Sequence, residues 1–262
     1  MKKIIVVTGA SSGMGVCFAK QLAVENPDEL WIVARRKDRL EDLKKEIELE
    51  NKASVRVVDM DISGAEGARR LNSVFLEEKS RGDFEISVLV NNAGFGTYGE
   101  FANTDVNREM EMVDLDCTSL TGITGFALPY MKKGGRIINT ASLASFMPLG
   151  NFAVYGACKA YVLSFSIALA AELKPKGISV TALCPGPVST EFANVASNGA
   201  RPKVRHGLSP EKTVEHAIKA SRKGRLYSMR FLKWKIQAWA SPYMNRYLGA
   251  WFTFKYCKRP SN

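Results

Sequence analysis

Short apolar runs alternate with helical segments along most of the chain, and this alternation limits the folds that it can adopt. The runs are rich in β-branched residues and lack alternating polar positions, which is typical of strands buried on both faces. Parallel strands of this kind need helical crossovers that cover both sides of the sheet. The pattern therefore predicts a single α/β domain, a doubly wound parallel sheet with helices on both faces.

The predicted elements follow one another with short connections. Strands are predicted at residues 4–7, 30–34, 55–58, 86–90, 136–140 and 178–183, and helices at 12–25, 38–51, 64–80, 107–128 and 155–173. Residues 193–208 have little periodicity and are predicted to form a mobile loop. Ser209 then caps a helix that has Pro210 at its first position, and residues 225–229 are predicted as a last strand.

A glycine-rich turn separates the first predicted strand from the first helix. It reads Thr-Gly-Ala-Ser-Ser-Gly-Met-Gly over residues 8–15. Glycines let the backbone approach a pyrophosphate, and a helix N-terminus supplies N–H donors and the positive end of its dipole. The turn predicts a dinucleotide site in a Rossmann-type fold. Its spacing differs from the common fingerprint, so a purely structural turn is the alternative.

The end of the second predicted strand indicates which dinucleotide binds. A carboxylate at this position would bond the ribose hydroxyls of NAD, but the chain has Ala34 followed by Arg35, Arg36 and Lys37. Guanidinium groups bind phosphate bidentately, so these cations suit a 2′-phosphate. NADP(H) is the predicted cofactor. The alternative for these cations is a solvated helix start.

Tyr155 and Lys159 lie four residues apart on one predicted helix, and Ser142 precedes the tyrosine by thirteen residues. Side chains at i and i+4 share a helix face, so the ammonium can approach the phenol. A neighbouring cation lowers the pKa of tyrosine, as a general acid or base working near neutrality requires. Because most such pairs are surface neighbours, this pair is informative only together with the other motifs.

Taken together, the motifs resemble the short-chain dehydrogenases/reductases over about residues 3–192. The matching text is the turn at 8–15, Asn-Asn-Ala-Gly at 91–94, Ser142, the Tyr155 to Lys159 segment, and Pro-Gly-Pro-Val-Ser-Thr at 185–190. The resemblance implies reversible hydride transfer between NAD(P)(H) and a carbonyl/alcohol pair. It also implies that Tyr155 exchanges a proton with the substrate oxygen, that Lys159 lowers the tyrosine pKa and holds the nicotinamide ribose, and that Ser142 hydrogen-bonds the substrate.

The same resemblance implies a set of cofactor contacts. No metal is expected, because the chain has two histidines and its cysteines lack metal-ligand spacing. At the adenine position two carboxylates compete, Asp61, which is preferred, and Asp59 two residues earlier. The implied contacts are Gly9, Ser11, Ser12, Gly13, Met14 and Gly15 at the phosphates, Asp61 and Ile62 at the adenine, Asn91, Ala93 and Gly94 on the adenosine side, and Pro185, Gly186, Val188 and Thr190 beside the nicotinamide.

One position departs from the family pattern. Family members usually carry an asparagine where this chain has Asp116, and the backbone of that asparagine holds a water that links the catalytic lysine to solvent. An additional carboxylate near Lys159 would raise the lysine pKa and alter the pH optimum. Asp116 is therefore grouped with the predicted catalytic residues, as a question about the proton relay.

The formal net charge of +11 is concentrated at one end of the chain. Residues 1–200 hold 22 Lys and Arg against 24 Asp and Glu, whereas residues 201–262 hold 15 against 2. We therefore divide the chain into a core (1–192), a substrate loop with a final core helix (193–225), and a basic, aromatic C-terminal extension (226–262), here called the tail. Nucleic acid is not an expected partner, because no recognised binding module accompanies the charge.

Three of the four tryptophans lie in the tail. Phe231, Trp234 and Ala238 have helical spacing and would pack on the core, on the substrate cleft or on another subunit. Alternatively, a basic segment with interfacial aromatic rings lies on an anionic membrane. The sequence leaves both interpretations open.

An apolar substrate pocket is expected where residues 193–208 and the tail close the cleft. Phe146, Met147, Phe152, Phe192 and the tail aromatics would line it, which favours a steroid- or lipid-like ketone or alcohol over a sugar. A hydroxysteroid dehydrogenase or carbonyl reductase is thus the predicted kind of enzyme.

The five cysteines are scattered, and no run of eighteen apolar residues occurs. These features predict a reduced, cytoplasmic protein, with membrane association through the tail as a variant. The predicted function is NADP(H)-dependent carbonyl/alcohol interconversion, in a homo-oligomer as is common in the family. The alternatives are an NAD-dependent dehydrogenase of the same family, a non-catalytic dinucleotide-binding protein, and a membrane-associated interaction protein.

Overall fold

A computed structural model describes residues 1–50, 53–202, 204 and 207–261. Within these residues seven parallel strands form one sheet in the order β3-β2-β1-β4-β5-β6-β7, which confirms the predicted doubly wound sheet in a single domain. The strands are β1 Lys2–Thr8, β2 Glu29–Ala34, β3 Ser54–Asp59, β4 Phe84–Asn91, β5 Arg136–Thr140, β6 Ser179–Leu183 and β7 Tyr227–Ser228.

Helices cover both faces of the sheet and continue into the tail. They are α1 Gly13–Ala23, α2 Lys37–Glu50, α3 Gly64–Arg81, α4 Val106–Val113, α5 Leu120–Ala127, α6 Ala153–Leu173, α7 Phe192–Ala196, α8 Pro210–Arg222, α9 Leu232–Ala240 and α10 Arg246–Tyr256.

Successive residues of the central strand enter two separate core layers. Ile5 of β1 packs in a cluster with Phe18 of α1 on one face of the sheet, whereas Ile4 packs with Phe75 of α3 on the other. Because side chains alternate along a strand, a strand buried on both faces must be apolar at every position. This explains why the strands appear in the sequence as continuous apolar runs.

The order of the strands reverses between β1 and β4, which opens a crevice at their carboxyl ends. Thr8 joins the two strands at this point. Its hydroxyl donates to the Val90 carbonyl at 3.2 Å and accepts from the backbone N–H groups of Asn92 and Ala93 at 3.0 and 3.1 Å. The floor of the crevice is therefore held by side-chain as well as backbone hydrogen bonds.

Three predicted elements differ from those observed. The predicted helix at 107–128 is interrupted by a wider π-helical segment, Asp114–Ser119, between α4 and α5. The first part of the predicted mobile loop forms α7, and Leu208 bridges to Val188, while Lys203, Arg205 and His206 of that loop lie outside the described residues. The predicted last strand is only two residues long, and Asn51 of the second helix is also outside the described residues.

The tail packs on the core through one side of each of its helices. The indole of Trp234 lies so close to Gly186 that a Cβ there would stand 2.3 Å from the ring, and Ala238 is buried. Thr253 of α10 accepts a hydrogen bond from the Gly150 backbone N–H at 2.9 Å. The interpretation in which the tail packs on the core thus holds for these inner sides, while many outer aromatic residues remain exposed.

By length and composition alone, the segment Ala153–Lys176 could cross a membrane. It begins with α6, which packs against β5 and β6, and a core helix of a soluble domain passes the same test. Its position against the sheet identifies α6 as a core helix of this fold.

Candidate active site

A cleft of about 990 Å³ lies at the carboxyl ends of the strands. A cavity of this size can hold a small ligand or part of a cofactor. Its position, at the switch point of an α/β sheet, is where such ligands bind in folds of this kind. The predicted site residues that line it are Gly9, Ser11, Ser12, Gly13, Met14, Arg35, Arg36, Asp61, Ile62, Ala93, Gly94, Ser142, Tyr155, Lys159, Pro185, Gly186, Val188 and Thr190.

Three predicted site residues do not line this cleft. Gly15 packs against the turn, Asn91 is buried within the sheet, and Asp116 is buried behind Lys159. The Asn91 amide donates to Thr124 and to the Asn139 side chain at 2.9 and 2.8 Å, so its side chain braces β4 and does not face a ligand. These three residues therefore lie behind the residues that form the surface of the cleft.

The phosphate turn has a backbone shape that larger residues would disturb. Gly9 has φ +68°, and a Cβ on it would lie 2.8 Å from the Cα of Ala93. A Cβ on Gly15 would lie 2.0 Å from the Gly9 carbonyl oxygen, because the first turn of α1 packs directly on the loop. Ser12, Gly13 and Met14, at the start of α1, line the cleft, and the N–H groups of a helix start are suited to binding pyrophosphate.

Tyr155, Lys159 and Ser142 meet at the wall of the cleft. Tyr155 and Lys159 both lie on α6, and the Lys159 ammonium is 5.5 Å from the centre of the phenol ring. Ser142 begins a short 3₁₀ turn after β5, where its hydroxyl accepts from the Ala144 N–H at 3.1 Å and interacts with Tyr155. A carbonyl oxygen bound here could thus reach two hydroxyl groups together.

Lys159 is held on two sides. Its ammonium donates a hydrogen bond to the Thr140 carbonyl oxygen at 3.0 Å and lies 2.9 Å from Oδ2 of Asp116. The other oxygen of Asp116 accepts from the Phe95 N–H at 3.1 Å, so the carboxylate is fixed between the chain and the lysine. The departure from the family pattern therefore creates a buried ion pair next to the proposed proton donor.

The electrostatics of the site follow from burial and from this ion pair. Burial raises the pKa of Tyr155 above its usual value, and Asp116 adds to the increase, while Lys159 and hydrogen bonding with Ser142 act to lower that pKa. Burial acts to lower the pKa of Lys159, but the charges of Asp116 and Tyr155 and the hydrogen bond with Asp116 together outweigh burial and raise that pKa. Lys159 thus acts to lower the pKa of Tyr155, as predicted. Burial has the larger effect, so the pKa of Tyr155 is raised overall.

The two arginines after β2 differ in their surroundings. The Arg36 guanidinium donates to the Ser11 hydroxyl at 3.1 Å and pairs with Glu191 at 2.9 Å, and Arg39 also pairs with Glu191. Arg35 is exposed at the cleft and lies within ion-pair distance of no carboxylate among the described residues. Arg35 is therefore the freer of the two cations for a phosphate.

Aromatic side chains form the substrate side of the cleft. Phe152 stacks on Tyr155 with ring centres 4.1 Å apart, and Phe192 lies 5.4 Å from the same ring. Met147 also lines the cleft, as expected. The prediction for Phe146 is wrong, because that residue does not line the cleft and its ring packs toward Tyr227, with ring centres 6.4 Å apart.

The tail contributes polar groups to the cleft, where aromatic rings were expected. Its cleft-lining members among the described residues are Gln237, Thr253 and Arg259. The half-buried Arg259 guanidinium lies 4.9 Å from the centre of the Phe152 ring and donates to the Gly150 carbonyl oxygen at 3.2 Å. No carboxylate of the described residues lies within ion-pair distance of it, and nothing in its sequence context separates it from the other tail cations.

The chain is also similar to proteins whose family is known. A model of the short chain dehydrogenase family matches residues 3–200. An uncharacterised oxidoreductase of Staphylococcus saprophyticus is 33% identical over 221 residues, or 83% of this chain and 90% of that protein. An NADP-dependent 3-hydroxy acid dehydrogenase of Escherichia coli is 31% identical over 219 residues, which cover 82% of each chain.

A similar structure has also been solved with a cofactor. The short-chain dehydrogenase from Sphingobium yanoikuyae in complex with NADPH has a TM-score of 0.79 and 28% identity to this chain. The alignment covers 92% of this chain and 94% of that one, so the similarity extends well into the tail.

Proposed function

This chain belongs to the short-chain dehydrogenase/reductase family, and from that membership we propose that it is an NADP(H)-dependent oxidoreductase that interconverts a carbonyl compound and a secondary alcohol. The observation that carries the proposal is the meeting of Ser142, Tyr155 and Lys159 in the same cleft as the phosphate turn. This arrangement places a proton donor, the two side chains beside it and a dinucleotide site in one cleft.

In the reductive direction, NADPH would supply a hydride to the carbonyl carbon, and the residues of this chain manage the proton. Tyr155 donates its proton to the oxygen as negative charge develops there, and Ser142 stabilises that oxygen with a hydrogen bond. Lys159 holds the ribose and stabilises the tyrosinate, which regains a proton from solvent. Burial raises the pKa of Tyr155, so the effects of Lys159 and of hydrogen bonding with Ser142, which act to lower that pKa, are those that favour proton donation by the phenol.

The preference for NADP(H) is supported by the unpaired guanidinium of Arg35 and by the apolar Ala34 at the end of β2. The name of the Escherichia coli relative, which is NADP-dependent, points the same way. NAD remains the alternative cofactor, and Glu191, which neutralises part of the charge of Arg36, is the feature that favours it.

For the substrate, we propose an apolar carbonyl compound that carries one anionic group. The stacked rings of Phe152 and Tyr155, with the Phe192 ring tilted against Tyr155, favour an apolar body, such as a lipid- or steroid-like ketone. Arg259 adds a half-buried cation at the end of this aromatic group. A buried cation without a counter-charge is costly, so a carboxylate on the substrate would stabilise it. The Escherichia coli relative is named for a 3-hydroxy acid, which has such a group.

A homo-oligomer and a cytoplasmic location are part of the proposal. A second apolar groove, of about 720 Å³, is lined by residues of α3, α5 and α6. Ala68, Gly122 and Tyr161 are among its lining residues, and a second copy would cover them. Cysteines that are free in the structure, three of them buried, support a reducing compartment.

The decisive experiment compares the native protein with Tyr155→Phe. We expect the variant to lose turnover of aromatic and aliphatic keto acids by about 100-fold or more, as is typical on removing a general acid. NADPH binding, followed by the fluorescence of the reduced nicotinamide, should be retained. If the native protein binds NADPH but turns over none of the aromatic or aliphatic carbonyl compounds tested, the non-catalytic dinucleotide-binding alternative is favoured instead.

A further inference from the structure

The outer side of α9 exposes large apolar side chains in one row. Leu232, Ile236 and Trp239 are 71%, 56% and 72% exposed. They stand at positions i, i+4 and i+7 of the helix, so they form a single stripe, which we call the α9 stripe. Tyr243, 80% exposed, follows the helix, and its ring contacts that of Trp239 at 5.7 Å.

The outer side of α10 has the same character. Tyr247, Leu248, Trp251 and Phe252 are 74%, 60%, 44% and 55% exposed and share one helix face, here called the α10 stripe. Single exposed apolar residues are normal on proteins, but contiguous rows of large aromatic and aliphatic side chains mark surfaces that bind something.

The exposed stripes belong to helices that are firmly attached to the core. Asn245 caps α10 by accepting from the Leu248 N–H at 3.1 Å. The Asn151 amide, in the loop before α6, donates to the Phe254 carbonyl oxygen at 2.9 Å. Trp234 holds the inner side of α9 against Gly186. The inner sides of α9 and α10 therefore already pack on the core, and the stripes on their outer sides face away from it.

The charge around the stripes is of one sign. Residues 225–262 contain eight Lys and Arg and no Asp or Glu. Among the described residues, Lys258 is the one cation of this segment within ion-pair distance of a carboxylate, at 3.9 Å from Glu100. Lys255 lies over the Trp251 ring at 4.9 Å, so one ammonium stands beside the α10 stripe.

This combination suits an anionic lipid surface better than a second copy of the chain. In a symmetric dimer each stripe would bring its own cations against those of its partner, and no acidic group of the segment would offset them. At a membrane, indole and phenol rings lie at the level of the headgroups, and lysine stems extend toward the lipid phosphates. Apolar insertion and electrostatic attraction then act together.

We propose that the α9 and α10 stripes dock the protein peripherally on membranes that contain anionic lipids. This binding requires neither cofactor nor turnover, so it stands apart from the proposed reaction. Gln237 and Thr253, on the same two helices, line the active-site cleft. Docking would thus hold the cleft within about one helix diameter, roughly 10 Å, of the lipid surface.

The test is sedimentation of the full chain with vesicles of phosphatidylcholine alone and of phosphatidylcholine mixed with phosphatidylglycerol. We expect binding to the mixed vesicles that weakens as salt is added. Ile236→Ser/Trp239→Ser and Leu248→Ser/Phe252→Ser should each lower the partition coefficient by about tenfold or more, given the apolar area removed. Lys233→Gln/Lys235→Gln should lower it by about fivefold for each charge.

Leu49→Ser/Leu76→Ser is the matched control, since these leucines are 87% and 54% exposed on α2 and α3, outside the tail. This variant should bind like the native chain, and every variant should retain NADPH binding as proof of folding. Equal binding to both kinds of vesicle, no binding to either, or an equal loss in the control would overturn the proposal. So would dissociation of a dimer by the stripe variants in analytical ultracentrifugation, because that result would assign the stripes to a second copy.

Discussion

Asp116 stands at the chemical centre, where the family resemblance implies an asparagine. Its carboxylate is buried, lies 2.9 Å from the Lys159 ammonium and cannot be screened by water. Burial raises the pKa of Asp116 itself, against the opposing effect of Lys159. Because the Asp116 charge also raises the pKa of Tyr155, it weakens the effect of the lysine on the tyrosine. Its consequence should be visible in the pH dependence of the reaction.

Asp116→Asn should move the alkaline limb of kcat/KM for carbonyl reduction to lower pH. The reaction needs a protonated Tyr155, and removal of the Asp116 charge lowers the pKa of that tyrosine, so activity is lost at a lower pH than in the native enzyme. The measurement is a pH–rate profile with saturating NADPH. Asp114→Asn, an exposed carboxylate two residues away, is the control and should leave the limb in place. Identical profiles for all three proteins would show that Asp116 plays no part in proton transfer.

Arg35→Ala should lower kcat/KM for NADPH by about ten- to a hundredfold and leave the value for NADH nearly unchanged, since one charge-assisted contact is worth about 1.5–3 kcal/mol. Arg36→Ala should change the ratio less, because Glu191 already neutralises part of its charge. Initial rates with both cofactors give the ratio directly. If Arg36→Ala proves the more damaging variant, the 2′-phosphate lies on the Ser11 side of the cleft.

At the level of the elements, the position of α1 depends on Gly15, which packs directly against the phosphate turn. Gly15→Ala would place a Cβ 2.0 Å from the Gly9 carbonyl oxygen and push the helix away from the loop. We expect a loss of about 1–3 kcal/mol of stability, roughly 2–4 °C in Tm per kcal/mol, together with weaker NADPH binding. Thermal melts with and without NADPH measure both effects.

Gly125→Ala is the matched control for this substitution. Gly125 lies in α5, where a Cβ would meet nothing within 4 Å. Alanine should therefore stabilise that helix by up to about 1 kcal/mol and leave NADPH binding unchanged. A similar fall in Tm for both variants would mean that the close packing of α1 is not the cause.

The strands could be predicted from the sequence because a buried parallel strand has an apolar residue at every position, as in Ile4 and Ile5 of β1. The π-helical segment Asp114–Ser119 could not, since its residues have ordinary helical spacing and the wider turn is fixed by tertiary contacts. Helix α7 was missed because five residues are too few to display a period. Most motif residues in the cleft were found because they lie at strand ends, where the topology gathers them, whereas Tyr155 and Lys159 were found from their spacing on one helix.

At the scale of the whole molecule, the active site combines segments from distant parts of the chain. The phosphate turn and the catalytic residues come from the sheet and its helices, whereas Arg259 comes from the tail and lies against Phe152 at the cleft. Sequence motifs cannot reveal such a residue, because its role depends on how the tail folds back. Its contribution has to be tested with substrates that differ in charge.

Arg259→Met should raise KM for ω-benzoyl carboxylates by about tenfold or more and change little for their methyl esters, because only the acids offer the guanidinium a counter-charge. Arg259→Lys should recover part of the effect. Steady-state kinetics on matched acids and esters of increasing chain length supply the comparison. Parallel losses on acids and esters would mean that Arg259 only holds the tail against Gly150.

The hydrogen-bonded junction of Thr8 with Asn92 and Ala93 also has a consequence for how the chain acquires its structure. The two central strands, β1 and β4, are separated by some eighty residues of sequence, and β2 and β3 occupy that interval at the sheet edge. Long-range pairing of this kind carries a loop-closure cost before its contacts stabilise the chain, which makes it slow. Until β4 has paired with β1, the glycine turn lacks the segment Asn92 and Ala93 that packs against it. Cofactor affinity is therefore expected to arise late in folding, when the two central strands pair.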